Sequence, residues 1–211
     1  PIWGLGCAGG ASGISRAFDY CKAYPDAKVL VVCVELCSLT FQKEDYSKSN
    51  LVGASLFADG AACALVCGDN VEFGQDISVP HIIGRGSKWM PDSEDVMGWD
   101  VKNSGLHVVF SKNIPVIISK WLGPFIHEFL NKHDVLPEQI DNFVAHPGGK
   151  KVLQAYEEAL QLTSEHTNVS REILQANGNM SSPTVLYVLE EYMLKKNKQN
   201  TLGLLVALGP G

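Results

Sequence analysis

A glycine-rich loop around one cysteine constrains this 211-residue chain more than any other feature. Residues 4–13 read Gly-Leu-Gly-Cys-Ala-Gly-Gly-Ala-Ser-Gly and lead into a helix-like segment near Ile14. A thiol where a glycine-rich turn enters a helix lies near unpaired backbone N–H groups and the positive end of the helix dipole, and both favour the thiolate. The pattern predicts that Cys7 is a nucleophile, with space beside it for a substrate carbonyl.

The same loop has two other interpretations. Gly4, Gly6 and Gly9 spell G-x-G-x-x-G, and Glu35 follows after an apolar run, as in dinucleotide-binding folds. That fingerprint requires a strand leading into the first glycine, but only three residues precede it here, and it has no use for a cysteine. A buried structural cysteine on a tightly packed helix is the other alternative. Residues elsewhere in the chain must decide between them.

The composition indicates a soluble globular protein that forms one large domain or two small ones, because 45% of the residues are hydrophobic and 19% are charged. A net charge of −6 offers no attraction for nucleic acid or an anionic membrane. The sequence contains no apolar stretch of the roughly 20 residues that a membrane span needs, and no signal peptide. We therefore expect a cytoplasmic protein without nucleic-acid or membrane partners.

Six cysteines are spread along apolar runs, which favours a reducing compartment over a disulfide scaffold. Two pairs, Cys33/Cys37 and Cys63/Cys67, invite a metal interpretation. Each pair has three intervening residues in a strand-like segment, where the two side chains lie well apart on the same face. We expect no metal site.

The two ends of the chain do not resemble natural domain edges. The sequence begins at Pro1, almost inside the cysteine loop, and stops in the turn Gly209-Pro210-Gly211. We expect a fragment of a longer polypeptide that lacks an N-terminal segment and the last strand.

The hydrophobic pattern of the first part predicts an α/β protein. A helix to about Ala23 precedes residues 28–35, which read as a strand buried on both faces at the centre of a parallel sheet. A helix over residues 51–57 turns into a second buried strand over 59–67. The following stretch is rich in loops, with short strand candidates near 81–84 and 106–110. We place a boundary here, between domains 1–86 and 87–211.

The second domain repeats the alternation of helix and strand, which suggests an internal duplication. The predicted elements are a helix over 112–132 that is kinked at Gly123-Pro124, a strand over 142–145, helices over 151–162 and 170–176, a helix that opens at 179 and ends at Lys195-Lys196, and a last strand over 201–207.

Two polar side chains in the second domain are candidate partners for Cys7. His146 follows a buried strand at its carboxyl end, where open α/β sheets place ligands, and Asn179 stands at a predicted helix N-terminus. Each has an ordinary structural explanation when taken alone. Together, the imidazole could stabilise a Cys7 thiolate as an ion pair, and both side chains could donate hydrogen bonds to a thioester oxygen. Phe57 could supply an apolar wall.

The chain resembles the type III polyketide synthases, the chalcone and stilbene synthase family. The resemblance spans the whole chain and rests on five motifs in the family's order and spacing: Gly6-Cys7-Ala8-Gly9-Gly10, residues 51–61 (Leu-Val-Gly-Ala-Ser-Leu-Phe-Ala-Asp-Gly-Ala), Ala145-His146-Pro147-Gly148-Gly149, Gly178-Asn179-Met180-Ser181-Ser182, and Gly209-Pro210-Gly211. It implies a homodimer with a thiolase-like fold of duplicated αβαβα layers, here the end of the first half and most of the second. It also implies CoA thioesters as substrates and no further cofactor.

The resemblance implies a role for each matching residue. Cys7 would accept an acyl group from a starter acyl-CoA, and His146 and Asn179 would activate the thiol and stabilise the enolate of decarboxylated malonyl-CoA. Phe57 would stand between the CoA tunnel and the cavity. The residues that would shape the elongation and cyclisation pocket are Cys37, Thr40, Gly105, Ser181 and Leu208.

Departures from the plant enzymes bear on the substrate. Cys37 replaces a threonine, Leu208 stands where the plant enzymes carry phenylalanine, and the loop over 43–50 differs throughout. The sequence is more similar to bacterial members that make alkylpyrones or alkylresorcinols from fatty acyl-CoA, and Gly105 would leave room for a long chain. Two alternatives stay open: a ketoacyl-[acyl-carrier-protein] synthase of the same fold that performs a single condensation, and an inactive truncated scaffold.

Overall fold

The computed structural model describes residues 1–74, 79–111, 113–195 and 200–210, which form a mixed α/β structure. The helices are α1 (Gly9–Ala23), α2 (Lys48–Leu56), α3 (Ile114–Ile117), α4 (Gly123–Asn131), α5 (Lys150–Leu160), α6 (Asn168–Asn177) and α7 (Thr184–Leu194). The strands are β1 (Lys28–Glu35), β2 (Gly60–Cys67), β3 (Met97–Lys102), β4 (Gly105–Phe110), β5 (Ile140–Ala145) and β6 (Leu202–Val206). None of the helices in these ranges is long and apolar enough to cross a membrane.

Strands β1 and β2 pair in an antiparallel ladder in which Leu30 lies opposite Leu65. Val31 is buried on the face that packs against α1 and α7. The other face is open, because Val32 and Val34 each keep 60% of their surface exposed. The prediction of a strand buried on both faces in a parallel sheet was therefore wrong. The run is apolar throughout, but the described residues supply a packing layer on one side only.

Strand β5 is the one buried on both faces, as in parallel sheets generally. It pairs with β6 in parallel, and Phe143 lies opposite Leu204. Alternate residues point into two different cores: Phe143 packs with Tyr156 of α5, and Val144 packs with residues of α1 and α7. The carboxyl end of β5 therefore emerges between the two cores.

The predicted kinked helix over 112–132 is present, although Lys112 lies outside the described residues. A π-helical turn, Ile118–Leu122, joins α3 to α4. The N–H of Gly123 donates to the carbonyl oxygen of Ile118, five residues earlier. Pro124 follows and has no N–H to donate. The π-helical turn thus accommodates Pro124, and the helix continues into α4.

Two further predictions need correction. Residues 81–84 form no strand. The sheet of this region is the antiparallel hairpin of β3 and β4, of which the sequence predicted only a strand at 106–110. Helix α7 begins at Thr184 and not at 179. The predicted basic end at Lys196 and the terminal Gly211 lie outside the described residues.

Candidate active site

Cys7 lies in a short 3-10 turn, Gly6–Ala8, that leads directly into α1. The chain needs glycine at position 6, since the backbone φ is +43° and a Cβ there would lie 2.9 Å from Cδ of Pro210. The terminal turn closes over the same loop, because a Cβ on Gly209 would lie 2.1 Å from the carbonyl oxygen of Leu5. The loop is thus fixed from both sides, and the Cys7 residue is 7% exposed.

Asn179 is held by the backbone of the segment that carries Phe57. The two residues form a parallel β-bridge, in which the N–H of Asn179 donates to the carbonyl oxygen of Leu56 at 2.9 Å and the N–H of Ala58 donates to that of Asn179 at 3.0 Å. The Asn179 side-chain oxygen accepts the backbone N–H of Ser181 at 2.8 Å. The expectation that Asn179 stands at a helix N-terminus was wrong, because this bridge precedes α7.

His146 directly follows β5, as predicted. Its backbone N–H continues the parallel ladder by donating to the carbonyl oxygen of Val206 at 2.8 Å. The Ser170 hydroxyl donates to the carbonyl oxygen of Ala145 at 2.7 Å and so fixes the end of the strand. The His146 residue is 1% exposed, and neither ring nitrogen has a hydrogen-bond partner among the described residues.

The structure brings the three predicted catalytic side chains to one small cavity. The Cys7 Sγ lies 3.9 Å from both Oδ1 and Nδ2 of Asn179, and Nδ2 also donates to the carbonyl oxygen of Gly148 at 3.4 Å. The cavity is about 10 Å³ in volume, close to the smallest space that holds one water molecule. Its lining is Cys7, Met97, Phe110, Ile114, His146, Gly148, Val152, Tyr156, Asn179 and Leu208.

Burial sets the charge state of this site. It raises the pKa of the Cys7 thiol from 9.0 to about 11, although hydrogen bonds with the side chains of Ser181 and Asn179 act in the opposite direction. Burial also lowers the pKa of His146 from 6.5 to about 4. Burial therefore favours a neutral thiol and a neutral imidazole over the expected thiolate–imidazolium pair.

This arrangement suits acyl transfer. A neutral imidazole can accept the proton of a thiol that attacks a carbonyl, and an imidazole N–H together with the Asn179 carboxamide can donate to an oxygen that becomes negative. The surroundings strengthen such hydrogen bonds because they are largely apolar. The cavity therefore brings together groups that can act as a nucleophile, a base and hydrogen-bond donors.

Three of the predicted substrate-binding residues adjoin the site. Leu208 lines the cavity, and the Ser181 side chain hydrogen-bonds the Cys7 thiol. Phe57 is linked to Asn179 by the β-bridge, and its ring centroid lies 6.0 Å from that of Phe110, which lines the cavity.

The other three lie outside the cavity lining. The Thr40 hydroxyl donates to the carbonyl oxygen of Cys37 at 2.8 Å within a 3-10 turn. Burial, followed by the charge of Glu35, raises the pKa of Cys37 to about 12. Gly105 begins β4, beside the side chain of Gln42. The structure leaves their predicted role in shaping an elongation pocket untested.

Sequence reasoning missed the part of the lining that comes from β3, β4, α3 and α5. Tyr156 is the chemically notable case, because its hydroxyl is buried and has no partner among the described residues. The available signal was its spacing: Val152 and Tyr156 are four residues apart on the apolar face of a helix that starts just after His146. The described ranges contain no cluster of three or more metal-donor side chains.

Comparison with known proteins agrees with this geometry. The family described as chalcone and stilbene synthases, N-terminal domain, matches residues 1–70, and the C-terminal domain of the same description matches residues 83–211.

Two curated relatives show how much of such a protein the chain spans. A Bacillus subtilis (strain 168) protein, whose name assigns it provisionally as a chalcone synthase, is 52% identical over 100% of this chain and 59% of its own length. The 1,3,6,8-tetrahydroxynaphthalene synthase of Streptomyces peucetius subsp. caesius is 39% identical over 100% of this chain and 56% of its own length. The chain thus spans somewhat more than half of these relatives.

Solved structures give the same result for the fold. The crystal structure of 1,3,6,8-tetrahydroxynaphthalene synthase from Streptomyces coelicolor A3(2), a bacterial type III polyketide synthase, superposes with a TM-score of 0.91 at 33% identity, over 100% of this chain and 59% of that one. A fungal type III polyketide synthase, ORAS, superposes with a TM-score of 0.84 at 28% identity, over 98% of this chain and 60% of that one. The predicted thiolase-like fold is confirmed.

Proposed function

Because the chain belongs to the chalcone and stilbene synthase family, we propose that the protein containing it is a type III polyketide synthase, an acyltransferase that condenses acyl groups with malonyl-CoA. The observation that carries the proposal is the convergence of Cys7, His146 and Asn179 on one cavity that is nearly closed to water. These groups come from three segments that are far apart in the sequence and that meet in the folded chain.

In the loading step, the Cys7 sulfur attacks the carbonyl carbon of a starter acyl-CoA while the neutral His146 imidazole accepts the thiol proton. The carbonyl oxygen becomes negative in the intermediate, and the Asn179 carboxamide donates a hydrogen bond to it. The intermediate collapses, the bond to the CoA sulfur breaks, and the proton leaves with CoA. The product is an acyl thioester on Cys7.

In the extension step, malonyl-CoA loses CO2, and the electron pair of the broken C–C bond becomes an enolate. The enolate oxygen accepts hydrogen bonds from an N–H of His146 and from Nδ2 of Asn179. The enolate carbon then attacks the acyl thioester, and the Cys7 sulfur leaves. A small, largely apolar cavity supports this step, because it keeps out bulk water, which would protonate the enolate.

The finer features of the proposal come from the family resemblance. We propose repeated extension followed by cyclisation to a pyrone, resorcinol or chalcone-type product, with a fatty acyl-CoA as starter. We also propose a homodimer in the cytoplasm that uses CoA thioesters and no further cofactor. Assays with acyl-CoA starters of increasing length test the starter, and a strict preference for aromatic starters would contradict it.

Replacing the nucleophile tests the central assignment. In the protein that contains this chain, Cys7→Ala should abolish polyketide formation from an acyl-CoA and malonyl-CoA, as measured by mass spectrometry of the products. Cys63→Ala is the matched control, because Cys63 is exposed on β2, and it should retain full activity. Normal product formation by Cys7→Ala would refute the assignment.

A further inference from the structure

Besides the three predicted catalytic residues, the cavity is lined by a further polar side chain, that of Tyr156. Among the described residues, the buried side-chain nitrogen and oxygen atoms without a hydrogen-bond partner are Nδ1 and Nε2 of His146 and the Tyr156 hydroxyl oxygen. Both residues line the cavity that contains Cys7. Leaving a buried polar atom unpaired costs about 1–3 kcal/mol. The concentration of such atoms at one place therefore points to a shared function.

Tyr156 is held in place by its ring. The residue is 1% exposed and stands on α5, where its ring makes an edge-on contact with Phe143 of β5 at a centroid distance of 5.6 Å. Phe143 lies on β5, which ends at Ala145 directly before His146, so the packing of this strand against α5 positions both rings. Packing by itself would be satisfied by phenylalanine, and the hydroxyl needs another explanation.

The two residues have complementary hydrogen-bonding needs. A neutral imidazole carries one N–H donor and one bare nitrogen that must accept. Burial and the nearby Cys7 raise the pKa of Tyr156 well above its usual range, so its hydroxyl stays protonated and able to donate. The cavity that both line is about 10 Å³, enough for a single water molecule with polar groups around it.

We propose that Tyr156 is a positioning residue: its hydroxyl donates, through one water molecule in the cavity, to one ring nitrogen of His146. The other nitrogen then carries the proton and presents an N–H to the substrate carbonyl. The importance of that tautomer for the reaction rests on the proposed function. The hydrogen bond between Tyr156 and His146 can be tested without it. Without the hydroxyl, the imidazole is free to exchange between its two tautomers.

The test is Tyr156→Phe, which removes one oxygen and keeps the ring contact. The matched control is Tyr192→Phe, because the Tyr192 hydroxyl donates to the carbonyl oxygen of His166 and lies outside this cavity lining. Nitrogen-15 NMR of histidine-labelled protein reports the tautomer of His146 directly, with His146→Gln used to assign its signals. We expect two well-separated ring-nitrogen signals in the parent and in Tyr192→Phe, and signals shifted toward a common average in Tyr156→Phe.

Kinetics give the second measurement. Tyr156→Phe should lower kcat for malonyl-CoA decarboxylation about tenfold, the effect of one hydrogen bond, with an unchanged KM. If Tyr156 had only a structural role, Tyr156→Phe would change neither the tautomer of His146 nor kcat, whatever it did to the melting temperature.

Two NMR results would overturn the proposal: His146 signals that are the same in Tyr156→Phe as in the parent, or signals already averaged in the parent. If the tautomer changes as expected but the parent does not decarboxylate malonyl-CoA, the hydrogen bond stands and the proposed function fails.

Discussion

At the scale of one residue, burial of His146 has a cost in stability. Its imidazole is almost wholly buried, and neither ring nitrogen is paired among the described residues. Burial disfavours the charged form, which is why its pKa falls to about 4. The same burial that keeps the imidazole available as a base therefore makes it sensitive to acid.

This sensitivity predicts a loss of stability in acid. An ordinary histidine in the unfolded chain binds a proton near pH 6.5, whereas His146 in the folded chain does so near pH 4. The unfolded state thus binds more protons between these values, so the stabilisation is complete above pH 6.5 and is lost as the pH falls through 4. The shift corresponds to about 3 kcal/mol. Urea unfolding at pH 7 and pH 4.5 measures it.

The control variants for this experiment are His146→Gln, which cannot take up a proton, and His127→Gln, whose side chain is exposed on α4. The unfolding free energy of His146→Gln should depend less on pH than that of the parent, and that of His127→Gln should depend on pH as the parent's does. Equal pH dependence in the parent and in His146→Gln would contradict the prediction.

Cys7 yields a second prediction at this scale. Because its pKa is raised to about 11, its alkylation by iodoacetamide in the ligand-free protein should be slow at pH 7 and increase up to about pH 11. The exposed Cys63 serves as an internal comparison and should react faster at neutral pH. Peptide mass spectrometry resolves the two sites. A Cys7 midpoint below pH 8 would show that a stabilised thiolate exists after all.

The sequence predicted that Cys7, His146 and Asn179 meet at one site, and the structure places all three at one cavity, but the sequence did not predict that burial would favour neutral Cys7 and His146. Residue type and loop chemistry are local, so a nucleophile and its partners can be recognised from short motifs. Desolvation is not local: it depends on side chains such as Phe110, Ile114 and Leu208 that come from other elements. Tyr156 was missed for the same reason, because its hydroxyl is unusual only once the cavity is known.

At the scale of elements, a close contact between helices α1 and α7 links the cysteine loop to the Asn179 segment. Gly10 lies at this contact, where a Cβ would be 2.4 Å from the carbonyl oxygen of Ser182 and 2.8 Å from Cγ1 of Val185. Because the first of these is a backbone atom, any side chain at position 10 must push the two segments apart. The distance between Cys7 and Asn179 depends on this contact.

We therefore expect Gly10→Ala to destabilise the protein by about 1–3 kcal/mol, although alanine favours a helix over glycine by roughly 1 kcal/mol. Activity should fall as well, since Asn179 moves away from the thiol. Arg16→Ala, at an exposed position of the same helix, is the control and should have little effect. A Gly10→Ala variant as stable as the parent in chemical unfolding would show that the contact is readily relieved.

The positions of the helices and strands were largely predictable from the sequence, but the pairing between strands was not. Strand β1 runs over the predicted residues 28–35 because its apolar run is bounded by clear turn signals. Its antiparallel pairing with β2 depends on residues about thirty positions later. The bridge that holds Asn179 joins segments still further apart, so propensity could not distinguish it from a helix start.

At the scale of the whole molecule, the outer face of the β1–β2 sheet is an apolar surface. Leu30, Val32, Val34 and Leu65 each keep 58–60% of their area exposed. Contiguous apolar patches on a protein surface attract other apolar groups. The 211-residue chain should therefore bind the dye ANS in its folded state.

Replacing Val32 with threonine, which keeps a β-branched side chain, should reduce ANS fluorescence without changing the melting temperature. Val31→Thr is the matched control on the neighbouring residue. Val31 is 9% exposed, so this change should lower the melting temperature and leave the outer face unchanged. ANS binding that persists unaltered in Val32→Thr would place the dye elsewhere.

The overall fold was recoverable from the sequence because five motifs occur in the order and spacing of one family. The prediction that β1 is buried on both faces failed for a reason visible only at this scale. An apolar face on a strand indicates that another layer packs on it. It does not indicate whether that layer belongs to the same stretch of chain.

The β-bridge between Phe57 and Asn179 limits how this site can be redesigned. An aromatic side chain that would border the substrate and an amide that would bind its oxygen share one short backbone ladder. Any change that shifts the backbone of Phe57 will displace Asn179 as well, so under the proposed function a change of substrate through Phe57 should also lower the rate. The Thr40 hydroxyl donates within its own turn, to the carbonyl oxygen of Cys37, so substitutions there should leave Asn179 in place.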